Sequence, residues 1–258
     1  MSRLTIAIPT FRRPEDLKRA ISGVLGQAVE QAGGEIVSDV EVLVIDNDAP
    51  GSAREAALAA AADAAVVVRT SSDEPMEPGS VSVRYVVEER PGVAAVRNRA
   101  LDETPERDLL IFIDDDEEPE PGWLAALVGM RASTGCQAVA GPVIPVYEVE
   151  PEEWVRQGEF FVRKTWPTGT IRPVAASNCL LLDLGFVRRK GLRFDEAFGA
   201  DRGRGHALHS PVECRRGRHP LVRRGARARP RPGLPTRPPL DPAQAALPRR
   251  HLGARRTG

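Results

Sequence analysis

The residues of this sequence that could do chemistry together are acids placed at the ends of apolar segments. Asp114, Asp115 and Asp116 directly follow residues 109–113, an apolar run that predicts a buried strand. Carboxylates this close raise one another's pKa unless a cation neutralises them. Oxygen ligands select hard divalent cations, so the triplet indicates a site for Mg²⁺ or Mn²⁺ as a cofactor. The coordination shell of such an ion is often completed by phosphate groups of the substrate. The alternative is a solvated acidic turn before a helix, where acids are also favoured.

Two further polar clusters follow predicted strands and favour the metal interpretation. Pro9 and Thr10 end a predicted strand over residues 4–10, and Asp46 and Asp48 follow another over residues 40–45. A further strand is predicted over residues 81–87. Helical patterns alternate with the strands; they cover residues 13–25, 53–65 and 93–101, and another begins at residues 121–124. This alternation predicts an α/β fold, a mostly parallel sheet with helices on both faces. Ligands of such sheets bind outside the carboxyl ends of the strands, where all three clusters fall.

Several other classes of site are excluded by what the sequence lacks. No glycine-rich phosphate loop or Walker lysine pattern follows the first strand. Residues 1–200 contain no histidine, which excludes Ser-His-Asp and Cys-His catalysis there. Three widely spaced cysteines argue against a disulfide scaffold or a zinc ribbon and fit a reducing compartment. The apolar runs are too short for a transmembrane segment, and the amino terminus runs directly into a strand, so we expect no signal peptide.

The net charge of zero hides a division of the chain near residue 200. Residues 201–258 contain 15 arginines, no lysine and three acids, a net charge of +12, so residues 1–200 carry −12. The same segment holds all four histidines, nine prolines and no Phe, Trp, Tyr or Ile. Such a composition cannot build a core, so we expect an irregular or disordered tail. A basic arm could bind nucleic acid or an anionic membrane, but the absence of lysine and a start inside a domain argue against a nucleic-acid role.

Six segments in order across residues 4–199 resemble the motifs of the family 2 glycosyltransferases, which have the Rossmann-like GT-A fold. They include Ile113-Asp114-Asp115-Asp116, which resembles the family's Asp-any-Asp metal motif, and Pro91-Gly92 followed by Arg97-Asn98, which resembles its helix start. The six segments are residues 6–13, 43–47, 89–98, 113–116 with 121–124, 176–179 and 194–199. One motif alone is weak, whereas six in the family's order and rough spacing are specific.

The resemblance implies a role for each matching residue. It implies nucleotide-sugar binding by Pro9, Thr10, Asp46, Arg97, Asp114 and Asp115, with the first three near the base and ribose. It implies metal binding by Asp116 and Asp114, and an acceptor-side position for Asn178. From the residues alone, Arg97 could equally be a solvated helix residue and Asn178 a turn or capping residue.

The reaction that the resemblance implies is metal-dependent transfer of a sugar, with inversion, from a UDP- or dTDP-sugar to an acceptor hydroxyl. The acceptor would be a glycan, a lipid-linked molecule or a small molecule, in cell-envelope or polysaccharide biosynthesis. The expected location is the cytoplasm, where the protein would be either free or attached peripherally to the inner face of the membrane. Two alternatives stay open: a non-catalytic sugar-nucleotide-binding module, and a nucleotidyltransferase that makes sugar nucleotides. A nucleotidyltransferase would require a glycine-rich loop with a basic residue directly after the first strand, and Pro9-Thr10-Phe11 does not supply one.

The family's general base, the acid of a Gly-Gly-Glu-Asp-like motif, is due just after Ala200 and is absent as the chain is written. There the sequence reads Asp201-Arg202-Gly203-Arg204-Gly205-His206. Back-translating residues 201–210 with permitted GC-rich codons and skipping one base gives Thr-Gly-Gly-Glu-Asp-Thr-Leu-Phe-Thr, which contains the missing motif. We therefore expect a glycosyltransferase-like domain over residues 1–200, incomplete at its end, and a frameshift product over residues 201–258. The incomplete domain would expose apolar surface near Phe194 and Phe198, bind the donor weakly at best and transfer nothing.

Overall fold

The computed structural model of the chain describes residues 1–147, 150–158, 166–172, 176–196, 214–216 and 222–226. Its strands are β1 (Ser2–Thr10), β2 (Val37–Asp46), β3 (Val67–Arg69), β4 (Val81–Val87), β5 (Leu109–Phe112), β6 (Glu117–Pro119), β7 (Ala138–Ala140), β8 (Val143–Tyr147), β9 (Ile171–Arg172), β10 (Leu180–Asp183), β11 (Cys214–Arg216) and β12 (Val222–Ala226). Its helices are α1 (Pro14–Gln31), α2 (Arg54–Asp63), α3 (Val93–Asp102), α4 (Trp123–Thr134), α5 (Glu153–Gln157) and α6 (Leu184–Lys190).

The main sheet has nine described strands in the order β3-β4-β2-β1-β5-β10-β7-β11-β9. The five strands from β3 to β5 are all parallel, whereas β10 runs antiparallel to both of its neighbours. Strands of a parallel sheet are buried on both faces, which explains why β1 and β2 read as continuous apolar runs. The predicted α/β fold with a mostly parallel sheet is confirmed.

Helices cover both faces of this sheet, as the sequence predicted. Helix α1 packs Leu17, Ile21 and Val24 against one face, together with residues of α2 and α4. Helices α3 and α6 cover the other face, where Val96 and Val187 pack near Leu43 and Phe112. The periodic apolar positions of α1 follow the 3.6-residue helical repeat, so one stripe of the helix is buried.

The loop after β2 fixes the turn that begins α3. The side chain of Asn47 donates hydrogen bonds to the carbonyls of Glu88 (2.7 Å) and Arg90 (2.8 Å). Its Oδ1 accepts a bond from the backbone N–H of Gly92 at 2.9 Å. Gly92 has a φ of 115° and is the residue before the helix, a conformation that favours glycine. The strand-end loop therefore sets where α3 starts.

A buried ionic network lies on the α3 side of the sheet, several residues before the strand ends. Glu41 of β2 accepts hydrogen bonds from Arg84 (3.0 and 3.2 Å) and from Arg69 (2.5 Å). Arg84 also pairs with Glu103 at the end of α3. Arg107 pairs with Asp39 and donates to Thr5, so the network reaches β1. The carboxylates compensate the buried guanidinium charges, which is the condition for burying ions.

The tail contains two described strands, which corrects the prediction of an irregular tail at those positions. Strand β11 pairs with β7 and β9, and β12 lies between β6 and β8 in a small three-stranded sheet. Backbone pairing of this kind uses peptide groups and not large side chains, so an Arg-rich composition does not prevent it. The other residues of 201–258 lie outside the described part of the chain, and the domain division at residue 200 stays a prediction. Among the described residues, no helix is long and apolar enough to cross a membrane.

Candidate active site

The parallel strands bring the predicted acids to one edge of the sheet. Thr10 lies opposite Asp46 in the pairing of β1 with β2, and β5 pairs with the other side of β1. The N–H of Ile113 donates to the carbonyl of Ala7 (3.2 Å), which places Asp114 beside the end of β1. Pro9, Thr10, Asp46 and Asp114–Asp116 therefore share the carboxyl edge, where such folds bind ligands.

Asp115 is the most buried acid of the triplet and is held by β1 and its loop. Its carboxylate accepts a hydrogen bond from Thr10 Oγ1 at 2.8 Å and one from Arg13 Nη1 at 3.2 Å. Burial raises the pKa of Asp115 to about 6, while the bonds from Thr10 and Arg13 oppose that rise. Both carboxylate oxygens contact protein donors, so Asp115 ties the triplet to β1; its predicted contact with the nucleotide stays a prediction.

Asp114 and Asp116 face the two cations that balance the triplet. Asp114 Oδ1 lies 3.6 Å from Arg97 Nη2, and Asp116 Oδ2 lies 3.3 Å from Arg13 Nη1. The side chains of Asp114 and Asp116 are 25% and 17% exposed to solvent, whereas that of Asp115 is 7% exposed. Asp114 and Asp116 are therefore the two members of the triplet that a solvent-borne ligand can reach most easily.

Arg97 is buried in the second turn of α3 and points its guanidinium at the acids. The side chain is 5% exposed, and its charged group lies 5.9 Å from the ring centre of Phe112 and 5.8 Å from that of Phe194. Nε and Nη1 have no hydrogen-bond partner among the residues that the structure describes. Burial lowers the pKa of Arg97, and the charges of Asp114 and Glu117 oppose this. A buried guanidinium with unused donors is suited to bind an anion such as a phosphate.

Asn178 lies behind the triplet and is linked to it through Glu117. Glu117 is fully buried; its Oε1 accepts from Asn178 Nδ2 at 2.5 Å, and its Oε2 accepts from the N–H of Asp114 at 3.2 Å. Asn178 thus supports the loop that carries the acids. Its predicted acceptor-side role stays a prediction, because no contact in the structure tests it.

Asp46 is fully buried and organises the loop after β2. Its carboxylate accepts hydrogen bonds from the N–H groups of Asp48 and Ala53 (both 2.9 Å) and from the hydroxyl of Tyr85 (2.7 Å). Asp48 in turn pairs with Arg12 at 3.0 Å. These contacts give Asp46 a structural role in addition to the predicted one beside the base and ribose.

The carboxylates of Asp114 and Asp116 could provide only part of the coordination shell of Mg²⁺ or Mn²⁺. No group of three or more Asp, Glu, His or Cys side chains arranged to hold a metal occurs within the described ranges. Mg²⁺ is commonly held by one or two carboxylates, with waters and substrate phosphates filling the other positions. Asp114 and Asp116, on one loop and facing Arg97 and Arg13, fit that pattern.

Three features of this site were missed at the sequence level. Arg13 and Phe194 lie in segments that match the family motifs but were given no role in the site, and Glu117 follows the acidic triplet and was given no role either. Phe194 is also 2% exposed, so the expected exposed apolar surface at this residue is wrong. The ring is covered because it packs edge-on against Phe112 (centroids 5.7 Å apart) and against Arg97. Phe198 and the expected position of the general base lie outside the described residues.

Comparisons with known proteins agree with this architecture. The family model described as "Glycosyl transferase family 2" matches residues 5–183. The succinoglycan biosynthesis protein ExoM of Rhizobium meliloti (strain 1021) is 29% identical over 212 residues, which are 82% of this chain and 61% of ExoM.

The solved structures that resemble the chain include TarS 1-349 of S. aureus. The match has a TM-score of 0.54 and 10% identity and covers 86% of this chain and 60% of that one. The structure of the same protein with UDP-GlcNAc gives a TM-score of 0.55 and 11% identity, over 87% of this chain and 59% of that chain. The chain thus spans about three fifths of the length of these relatives. At such identities the likeness concerns the fold, and it confirms the predicted GT-A-like fold.

Proposed function

Because the chain belongs to glycosyl transferase family 2, we propose that it binds a nucleotide-diphosphate sugar at the carboxyl edge of the sheet and belongs to an enzyme that transfers the sugar to an acceptor hydroxyl. The single observation that carries this proposal is the buried guanidinium of Arg97, which faces Asp114 with Nε and Nη1 unpaired among the described residues. A diphosphate would supply the missing acceptors for these donors. Asp114 and Asp116 would hold Mg²⁺ or Mn²⁺ against the same diphosphate.

The metal's contribution would be to stabilise negative charge on the departing nucleoside diphosphate. Arg97 would add a second positive charge on the same leaving group, since its guanidinium stays charged in the site. A carboxylate general base would deprotonate the acceptor, and direct displacement would invert the anomeric carbon. A UDP- or dTDP-sugar is the proposed donor. The relative named for succinoglycan biosynthesis and the structural neighbour solved with UDP-GlcNAc support a sugar nucleotide and an acceptor in polysaccharide synthesis. A cytoplasmic location, free or at the inner face of the membrane, stays a prediction.

Calorimetric titration tests the donor site directly. UDP, UDP-sugars and dTDP-sugars are titrated into the full chain with Mn²⁺, with Mg²⁺ and with a chelator. We expect binding that requires the divalent ion. Binding that is equal in the chelator would contradict the roles of Asp114 and Asp116, and the absence of any binding would contradict the proposed function. A turnover assay of the protein with its reading frame restored, as proposed below, then distinguishes an enzyme from a module that only binds sugar nucleotides.

We propose further that residues 201–258 arise from a shifted reading frame and that the general base is encoded in the other frame. The support is the abrupt change in composition where the base motif is due, and the Thr-Gly-Gly-Glu-Asp sequence that permitted codons give after one skipped base. In the shifted frame, the first base of nearly every codon is fixed by the amino acids of the given sequence. The choice among synonymous codons is therefore limited. A chain without the base would bind the donor weakly and transfer nothing.

Resequencing the gene around codons 199–203 tests the frameshift. We expect one extra base in this stretch, and an enzyme with measurable transfer once the frame is restored. A clean sequence, together with sugar transfer by the purified 258-residue protein, would contradict the proposal.

A further inference from the structure

Residues 192–196 run along α3 and are attached to it by side chains spaced along one side of the helix. Arg193 pairs with Asp102 (2.5 and 2.9 Å), Phe194 bonds to Asn98, and Glu196 contacts both Asn98 (3.0 Å) and Arg90 (3.4 Å). The partners move towards the amino end of α3 as the segment advances. The segment is therefore antiparallel to α3 and arrives at the carboxyl edge of the sheet, beside the candidate site.

Asn98 holds the backbone of Phe194 in the way that a neighbouring strand would. Its Oδ1 accepts the N–H of Phe194 at 2.9 Å, and its Nδ2 donates to the carbonyl of the same residue at 2.9 Å. Asn98 is 3% exposed, so these bonds form away from water, where breaking them leaves polar groups unsatisfied. The N–H and the carbonyl of Phe194 are thus both bonded to one carboxamide.

The ring of Phe194 in turn forms one wall around Arg97. The guanidinium packs beside both rings, 5.8 Å from the centre of Phe194 and 5.9 Å from that of Phe112, and the two rings contact each other nearly perpendicularly, at 88°. No hydrogen bond to Nε or Nη1 directs the group within the described part of the chain. Its direction is therefore set by the two rings and by the charge of Asp114, 3.6 Å away.

We propose that Asn98 is a positioning residue for donor binding: by fixing the backbone of Phe194, it keeps the ring against Arg97 and aims the guanidinium at the donor's diphosphate. The inference rests on the proposed function. Asn98 acts through Phe194 and Arg97, two residues that the chain order separates by 97 positions. It also joins residues 192–196 to the helix that carries Arg97.

A double-mutant cycle with UDP and Mn²⁺ tests this inference by calorimetry. Asn98→Ala is expected to weaken UDP binding by about tenfold, because the arginine's hydrogen bonds to the diphosphate lose their alignment. Binding of uridine, which has no phosphate, is expected to be unchanged. In an Arg97→Gln background the same Asn98 substitution should cause no further loss, since the two residues act as one unit.

The control is Asp102→Asn, which releases Arg193 from the same helix and segment without touching Phe194. It is expected to leave the affinity for UDP unchanged. Phe194→Leu provides a second variant, should Asn98→Ala fail to fold, because it keeps an apolar side chain and removes only the ring. It should weaken UDP binding and show the same dependence on Arg97.

The outcomes separate this inference from the proposed function. If the unsubstituted chain does not bind UDP with Mn²⁺, the proposed function fails and the inference fails with it. If the chain binds UDP, three results would overturn the positioning role alone: an unchanged affinity in both variants, an equal loss for UDP and uridine, or a loss that persists in the Arg97→Gln background.

Discussion

Two arginines balance the acidic triplet, and each does so from a different environment. Arg13 is half-exposed and bridges Asp115 and Asp116, whereas Arg97 is buried beside two aromatic rings and faces Asp114. A buried guanidinium pays a desolvation cost that only nearby negative charge repays. An anionic ligand would therefore stabilise Arg97 more than Arg13, because the exposed guanidinium of Arg13 can bind water instead.

The roles of Asp115 and Asp116 should be separable by substitution. Asp116→Asn is expected to abolish metal-dependent binding of UDP, because it removes a charged ligand of the ion. Asp115→Asn should matter less, since an amide can still accept the hydrogen bond from Thr10. Calorimetry with and without Mn²⁺ measures both, with Asp63→Asn, an exposed acid that pairs with Lys18, as the control. Equal losses from Asp115 and Asp116 would show that the ligand geometry is misplaced.

Asp115 should also make the metal-free protein less stable as the pH rises. Its folded pKa of about 6 lies above the ordinary 3.8, so its contribution is full below pH 4 and is lost as the pH rises through 6. The difference corresponds to about 3 kcal/mol at most. Urea unfolding in a chelator at pH 5 and pH 7.5 should show about half of this loss, because the other half already occurs below pH 5, and Asp115→Asn should reduce it. An identical pH dependence in the variant would refute the assignment.

At the scale of the elements, loops at the carboxyl edge position the site, while charges near the other end of the strands stabilise the sheet. Asn47 fixes the turn before α3, and Asp46 connects the end of β2 to the start of α2. Glu41, five residues before Asp46 on β2, contacts Arg84 and Arg69 instead of solvent. Stability and binding can therefore be perturbed separately on one strand.

Glu41→Gln should lower the free energy of unfolding by about 3 kcal/mol, because it leaves two buried guanidinium groups without a full countercharge. Urea unfolding measures this loss. The matched control is Glu106→Gln, whose side chain is 82% exposed and lies 3.9 Å from Arg3; the expected loss there is below about 1 kcal/mol. A loss for Glu41→Gln as small as that of the control would contradict the role given to the network.

At the scale of the whole molecule, ligand binding should be coupled to unfolding. Any ligand that binds only the folded chain stabilises it, by about 2.7 kcal/mol at a hundred times its dissociation constant. We therefore expect UDP with Mn²⁺ to raise the melting temperature, and expect no rise in Asp116→Asn. A differential scanning measurement with UDP, Mn²⁺ and both together provides the comparison. A rise with UDP that is the same in a chelator would argue against the metal site.

Local sequence patterns were sufficient for the strands and helices of residues 1–147 that form the carboxyl edge. The segment predicted at 81–87 matches β4, and the helix predicted over 93–101 matches α3 to within one residue. The short edge strand β3 was not predicted, because three residues carry too little periodicity to be distinguished from a loop. The pairing of β11 and β12 was not predictable either, since it depends on strands far away in sequence.

The sequence by itself determined the fold class and the location of the candidate site, because apolar runs that end in acids place those acids at the edge of a parallel sheet. Only the tertiary structure decided what each polar side chain contacts. It turned Asp46 and Asp115 inwards and paired Asn178 with Glu117. It also brought Phe194 to Arg97 and to its neighbour Asn98, across 97 and 96 residues of chain. The physical reason is that strand periodicity is local, whereas burial and hydrogen bonding depend on which elements the folded chain packs together.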